Sequence, residues 1–223
     1  MICENVKLLE EKISKACERA GRKREEVLLL GASKYATAEQ IRQAYHCGVK
    51  VFGENRVQEF LKKLESLRDL PIDWHFIGRL QTNKVKYIVD KVSLIHSLDR
   101  ISLADEIDKR AKKVGKVQDV LIEVNLGGEE SKGGVHPEEL ENLFQYTLNL
   151  SNLRVLGLMA IPPYMEDPQM VRPYFAKLRQ LKENLERLYN VKLPHLSMGM
   201  SADFEVAIEE GATIIRLGSA LFS

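Results

Sequence analysis

Residues 27–55 read VLLLGASKYATAEQIRQAYHCGVKVFGEN. A short apolar run at 27–33 leads into a stretch whose apolar residues recur at helical spacing, a glycine ends that stretch, and a second apolar run follows at 49–55. Neither run alternates apolar with polar. Each strand is therefore covered on both faces, as in a parallel sheet packed under helices. The same rhythm continues along the chain, with candidate strands at 73–79, 94–99, 119–126, 154–161, 195–200 and 213–219. Segments such as TNKVKYIVDK, SLADEIDKRAKKVG, PEELENLFQYTL and ADFEVAIEEG separate them with helical periodicity. Ahead of the first strand, Val6, Leu9, Ile13 and Cys17 mark one face of an amphipathic helix, and Gly21 stops it.

Eight strands, seven intervening helices and one leading helix, without a domain-sized linker, predict a single-domain (β/α)8 barrel over residues 1–223. An open doubly wound α/β sheet is the alternative. GGEESKGGVHP (127–137) is glycine-rich and charged and reads as a mobile loop after the fifth strand.

Apolar residues make up 44% of the chain, ample for a core, and 33 basic side chains face 32 acidic ones. The balance gives no sign of a general nucleic-acid or membrane-surface binder, which usually shows a clear basic excess. Basic residues are expected to gather only locally, around an anionic ligand. Cys3, Cys17 and Cys47 form no C-x-x-C spacing, which predicts neither a disulfide framework nor a zinc site and fits a reducing cytosol. The first residues, MICENVKLLEEKISKACERAG, carry acidic side chains where a signal peptide has an apolar core. No apolar run approaches the length of a membrane span, so a cytoplasmic protein is expected. The five histidines show no metal-ligand spacing, and no nucleophile elbow, Walker loop or dinucleotide fingerprint occurs.

In a barrel, function belongs at the C-terminal ends of the strands. The sharpest group there is Lys34, directly after the first strand. It points its amine into the barrel mouth or its rim, where desolvation and nearby cations can bring an amine to the reactivity that Schiff-base chemistry needs. Ser201 reads as a helix N-cap after the seventh strand, and Gly218 and Ser219 close the eighth, where barrels commonly hold phosphate. Arg216 shares a face with Gly218 and points inward. Its partner is then a carboxylate, Glu123 or Asp73, or a pyridine nitrogen. His75 alternates with Trp74 and Phe76, so it lines the same interior.

At these residues the sequence closely resembles the pyridoxal 5′-phosphate (PLP) homeostasis protein family, also called YggS/PROSC-like. The resemblance runs through GASKYATAEQI, VFGENRVQE, WHFIGRLQTNK, HSLDR, EVNLGGEESKGG, GLMAIPP and LSMGMSADFEVAIEEGATIIRLGSALF. It implies that Lys34 forms the Schiff base with PLP, that Ser201, Gly218 and Ser219 hold the phosphate, and that Arg216 faces the pyridine nitrogen. It implies further that Asn55 and Met200 line the ring or its phosphate. The fold implied is that of the N-terminal barrel of alanine racemase. The chain ends at Ser223, directly after the eighth strand, so the racemases' C-terminal β-domain and its catalytic tyrosine are not expected.

The implied role is PLP binding in vitamin B6 and amino-acid homeostasis without efficient catalysis, with apo PLP enzymes as transient recipients and a monomer or weak dimer as the assembly. A PLP-dependent amino-acid racemase is the alternative. Tyr35 would be its second base, although strand alternation points Tyr35 away from Lys34. A third, PLP-free reading is a sugar-phosphate barrel enzyme using Lys34 as an aldolase-type Schiff base.

Overall fold

The computed structural model describes residues 1–130 and 132–223. The apolar runs become eight parallel strands, β1 (Leu28–Ala32), β2 (Val51–Glu54), β3 (Asp73–Phe76), β4 (Leu94–Leu98), β5 (Gln118–Glu123), β6 (Leu153–Met159), β7 (His195–Ser197) and β8 (Ile214–Leu217). They pair in chain order and close, with Leu30 of β1 opposite Val51 of β2 on one side and Arg216 of β8 on the other. The (β/α)8 barrel is the observed fold.

Period-two alternation sorts the side chains into two cores. Leu30, Val51, Leu94, Leu121, Met159 and Ile214 pack together as the barrel filling. Residues one position away, such as Leu29, Phe52 and Ile215, pack instead with the surrounding helices. Those helices are α1 (Ile2–Arg19), α2 (Ala38–His46), α3 (Val57–Ser66), α4 (Ile101–Lys113), α5 (Pro137–Thr147), α6 (Arg172–Tyr189), α7 (Phe204–Glu209) and α8 (Ser219–Phe222). The leading helix α1 buries Val6, Leu9, Ile13 and Cys17, the face its sequence marks out.

Several details depart from expectation. The strands stop earlier than their apolar runs; 73–79 shortens to Asp73–Phe76 and 195–200 to His195–Ser197, so their polar ends lie in loops. TNKVKYIVDK forms a 3₁₀ turn over Thr82–Tyr87 in place of an α-helix. Its Val85, Ile88 and Val89, and Val92 just beyond it, are all buried, so the helical spacing reports burial correctly although the backbone winds more tightly. The last residues of the chain, expected to follow a strand ending at 219, form α8. Cys3 and Cys47 form a disulfide with Cα atoms 5.2 Å apart, correcting the expectation of none. Their separation of 44 residues hides a pairing that arises only when α1 packs beside α2. Among the described residues, no helix is long and apolar enough to cross a membrane.

Candidate functional site

Lys34 sits in the turn after β1, exposed at the rim of the barrel mouth. Its ammonium lies 4.8 Å from the centroid of the Tyr35 ring. Alternation would send these side chains apart, but β1 ends at Ala32 and a turn is not bound by the strand period. The turn itself is anchored from behind. Lys63, on the inward face of α3, donates to the Glu54 carboxylate at 2.9 Å and to the Ser33 carbonyl at 2.6 Å. The Ser33 hydroxyl donates to the same Glu54 oxygen, and Glu54 is fully buried. Burying that charge requires a partner, and Lys63 supplies it.

The cavity in front of Lys34 measures about 520 Å³ and is walled by Tyr35, Glu54, Asn55, Gly78 and Arg79. Gly78 is obligatory there, because a Cβ at that position would lie 2.2 Å from the Asn55 carbonyl oxygen.

The loops after β7 and β8 come together as the sequence suggests, by a different device. Ser201 is not a helix N-cap: α7 starts at Phe204 with Asp203 in the cap position. The Ser201 hydroxyl instead accepts a hydrogen bond from the Ala220 amide at 3.0 Å, joining the loop after β7 to the first turn of α8. Gly218 occupies the N-cap of α8, which Ser219 begins. A Cβ on Gly218 would stand 3.1 Å from the Ala32 carbonyl oxygen, so the end of β8 passes close to the end of β1, two residues before Lys34. The Met200 side chain is exposed, and its amide donates to Asp203 at 2.8 Å.

Arg216 lies buried inside the barrel and donates to Ser197 Oγ at 2.5 Å and to the Ala160 carbonyl at 3.0 Å. Burial pushes its pKa down to about 10, with Glu123 and Asp203 opposing the shift through space. Neither carboxylate expected as a partner bonds to it, since Asp73 sits at the opposite end of β3 and bonds to Ser93.

Arginine is a donor only, which sets the direction of a buried chain. Ser197 accepts from Arg216, and its own hydrogen is assigned to His96 Nδ1, 2.9 Å away. His96 then carries its proton on Nε2 and donates to His75 Nδ1 at 2.9 Å. The tautomers are assigned from this network. Burial, followed by the repulsion of His75 and Arg216, holds the His96 pKa well below the usual imidazole value. His75 is thus an interior link, not a cavity wall.

Glu123, at the end of β5, has its pKa pushed up to about 7 by burial first and by the charge of Asp99 second. The loop beyond it is organised around buried Asn125, whose amide group donates to the Glu129 and Lys132 carbonyls and whose side-chain oxygen accepts from the Gly128 amide. The mobile loop expected at 127–137 is therefore tied down at its described residues; Ser131 lies outside them. Alternation flags His75 and Arg216 as interior, whereas the roles of Lys63, His96 and Ser197 emerge only from strand neighbourhood.

The sequence matches the family described as alanine racemase, N-terminal domain, over residues 6–223. It is 68% identical over 220 residues to the pyridoxal phosphate homeostasis protein of Aquifex aeolicus (strain VF5), covering 99% of this chain and 96% of that protein. It is 42% identical to the protein of the same name from Pseudomonas aeruginosa, covering 99% and 94%. Among solved structures, PipY of Synechococcus elongatus PCC7942 with PLP bound superposes with a TM-score of 0.89 at 34% identity, covering the whole of both chains. The chain belongs to the alanine racemase N-terminal domain family and, within it, to the pyridoxal phosphate homeostasis proteins.

Proposed function

We propose that this single-domain barrel binds PLP through a Schiff base at Lys34 and serves vitamin B6 and amino-acid homeostasis in the cytoplasm, without efficient catalysis. The observation that carries the reading is the convergence of three loops. The Ser201–Ala220 bond and the approach of Gly218 to Ala32 bring the expected phosphate seat beside the Lys34 turn. The residues present suit the cofactor. Ser201, Gly218 and Ser219 offer hydroxyl and backbone donors to a phosphate, as loops after the last barrel strands commonly do. Asn55 and Met200 would line the ring or its phosphate, and Arg216 has N–H groups beyond the two already used that could meet a pyridine nitrogen.

PLP, when bound, supplies an electron sink for carbanions at an amino-acid α-carbon. Arg216 weakens that sink. Even with its pKa lowered to about 10 it stays charged at neutral pH, so it would donate to the ring nitrogen and leave that nitrogen unprotonated. The relatives' name and the PLP-bound PipY structure support the cofactor assignment. The partners that follow are PLP itself and apo PLP enzymes as transient recipients, for a monomer or weak dimer without nucleic-acid or membrane binding. Incubation of the PLP-loaded protein with amino acids in D₂O tests the non-catalytic reading. It predicts no steady α-proton exchange; exchange at turnover rates would establish a racemase-type enzyme instead.

A further inference from the structure

Next to the Lys34 cavity, a second and larger cleft of about 940 Å³ opens between the loops that follow β2 and β3 and the start of α4. Arg56, Arg79, Lys84 and Arg100 line it, against one acid, Glu59. None of Ser201, Gly218 and Ser219 reaches it. Arg100 is paired with Asp99 at 2.8 Å. Among the described residues, Arg56, Arg79 and Lys84 form no ion pair, although the chain as a whole holds acids and bases in near balance and ties many of its other arginines to carboxylates.

The placement of two of these cations is unusual. Arg56 is the N-cap of α3 and Arg100 the N-cap of α4, and neither helix receives a side-chain cap. N-caps favour acceptors such as Ser or Asp, and a positive charge at the positive end of a helix is disfavoured. Two arginines in that position, at one cleft, concentrate positive potential where local stability argues against it. The first residues of α3, Val57 to Glu59, also line the cleft, and the first amides of a helix have no intrahelical acceptor.

We propose that this cleft is an anion site for a small phosphorylated ligand, distinct from the seat of the cofactor phosphate. Guanidinium forks and helix amides match the oxygens of a phosphate or diphosphate. Three unpaired cations call for more than one negative charge, and the cleft volume suits a small molecule. Asn55, Arg56, Glu59 and Arg79 wall both this cleft and the Lys34 cavity, so an occupant here lies against the rim that carries Lys34. The proposal stands on these cations and does not require that Lys34 hold PLP.

Calorimetric titration of the PLP-treated protein with inorganic pyrophosphate at low ionic strength tests it, with absorbance followed in parallel. The expected result is saturable one-to-one binding, weakened tenfold or more in the Arg79→Gln/Lys84→Gln double variant. Binding to Arg154→Gln, altered at the opposite end of the barrel, should match that of the unaltered protein. Absence of saturable binding, or equal weakening by Arg154→Gln, would overturn the proposal. So would loss of the Schiff-base absorbance in step with pyrophosphate uptake, which would place the anion in the cofactor's own phosphate seat. Failure of PLP to attach would leave the calorimetric result intact, so the two readings fail separately.

Discussion

The ammonium of Lys63 lies 2.9 Å from the carboxylate of Glu54, one residue's reach behind the lysine assigned to the cofactor. Removing one partner of a buried pair leaves an uncompensated charge, which typically costs about 3–5 kcal/mol. Lys63→Met is therefore expected to destabilise the barrel by that order in denaturant unfolding. Adding Glu54→Gln should recover most of the loss, because the orphaned charge disappears. No recovery in the double variant would show that Lys63 acts through packing alone.

The Arg216–Ser197–His96–His75 chain makes a spectroscopic prediction. His96 should remain neutral at the pH where an ordinary imidazole protonates, with its proton on Nε2, in ¹⁵N NMR. Ser197→Ala removes an acceptor for Arg216 and a donor to His96 together, and is expected to cost about 1–3 kcal/mol. Protonation of His96 near pH 6.5 would contradict the network.

Glu123 sets a pH dependence. Its folded pKa, about 7, lies above that of an unfolded glutamate, so the folded state binds the extra proton. The associated stability is fully present below about pH 4 and is lost as pH rises through 7. Glu123→Gln should flatten that part of the stability curve. Asp99→Asn should lower the Glu123 midpoint, since Asp99 raises it, whereas an Arg216→Met variant should raise the midpoint further. An unchanged midpoint in Asp99→Asn would remove the charge of Asp99 as a cause.

The Cys3–Cys47 bond closes a loop across 44 residues. Chain-entropy arguments assign about 4 kcal/mol to a loop of this length. Reduction, or Cys3→Ser, should therefore lower the thermal midpoint by several degrees, measured with the partner thiol blocked. Equal midpoints for oxidised and reduced protein would mean that native packing of α1 on α2 already supplies the constraint.

The barrel was legible because strands buried on both faces and helices buried on one leave different periodicities, and these survive in every βα unit. The 85–92 segment shows the limit: burial follows Val85, Ile88, Val89 and Val92, yet nothing in their spacing separates a 3₁₀ turn from an α-helix. Lys34, Gly218 and Arg216 could be read from their positions at strand ends. Ser201 could be placed near the site but not given its partner, because its bond to Ala220 joins a loop to a helix 19 residues away. The disulfide, the Lys63–Glu54 pair and the histidine chain depend on which elements become neighbours in space, and local pattern does not encode that.

The central claim concerns one nitrogen, Lys34 Nζ. Borohydride reduction of the purified, PLP-treated protein, followed by peptide mass spectrometry, locates the phosphopyridoxyl group. The account predicts a single label on Lys34, abolished at that peptide by Lys34→Ala. No label at Lys34, or label spread evenly over surface lysines, would contradict it and return the barrel to the aldolase-type reading.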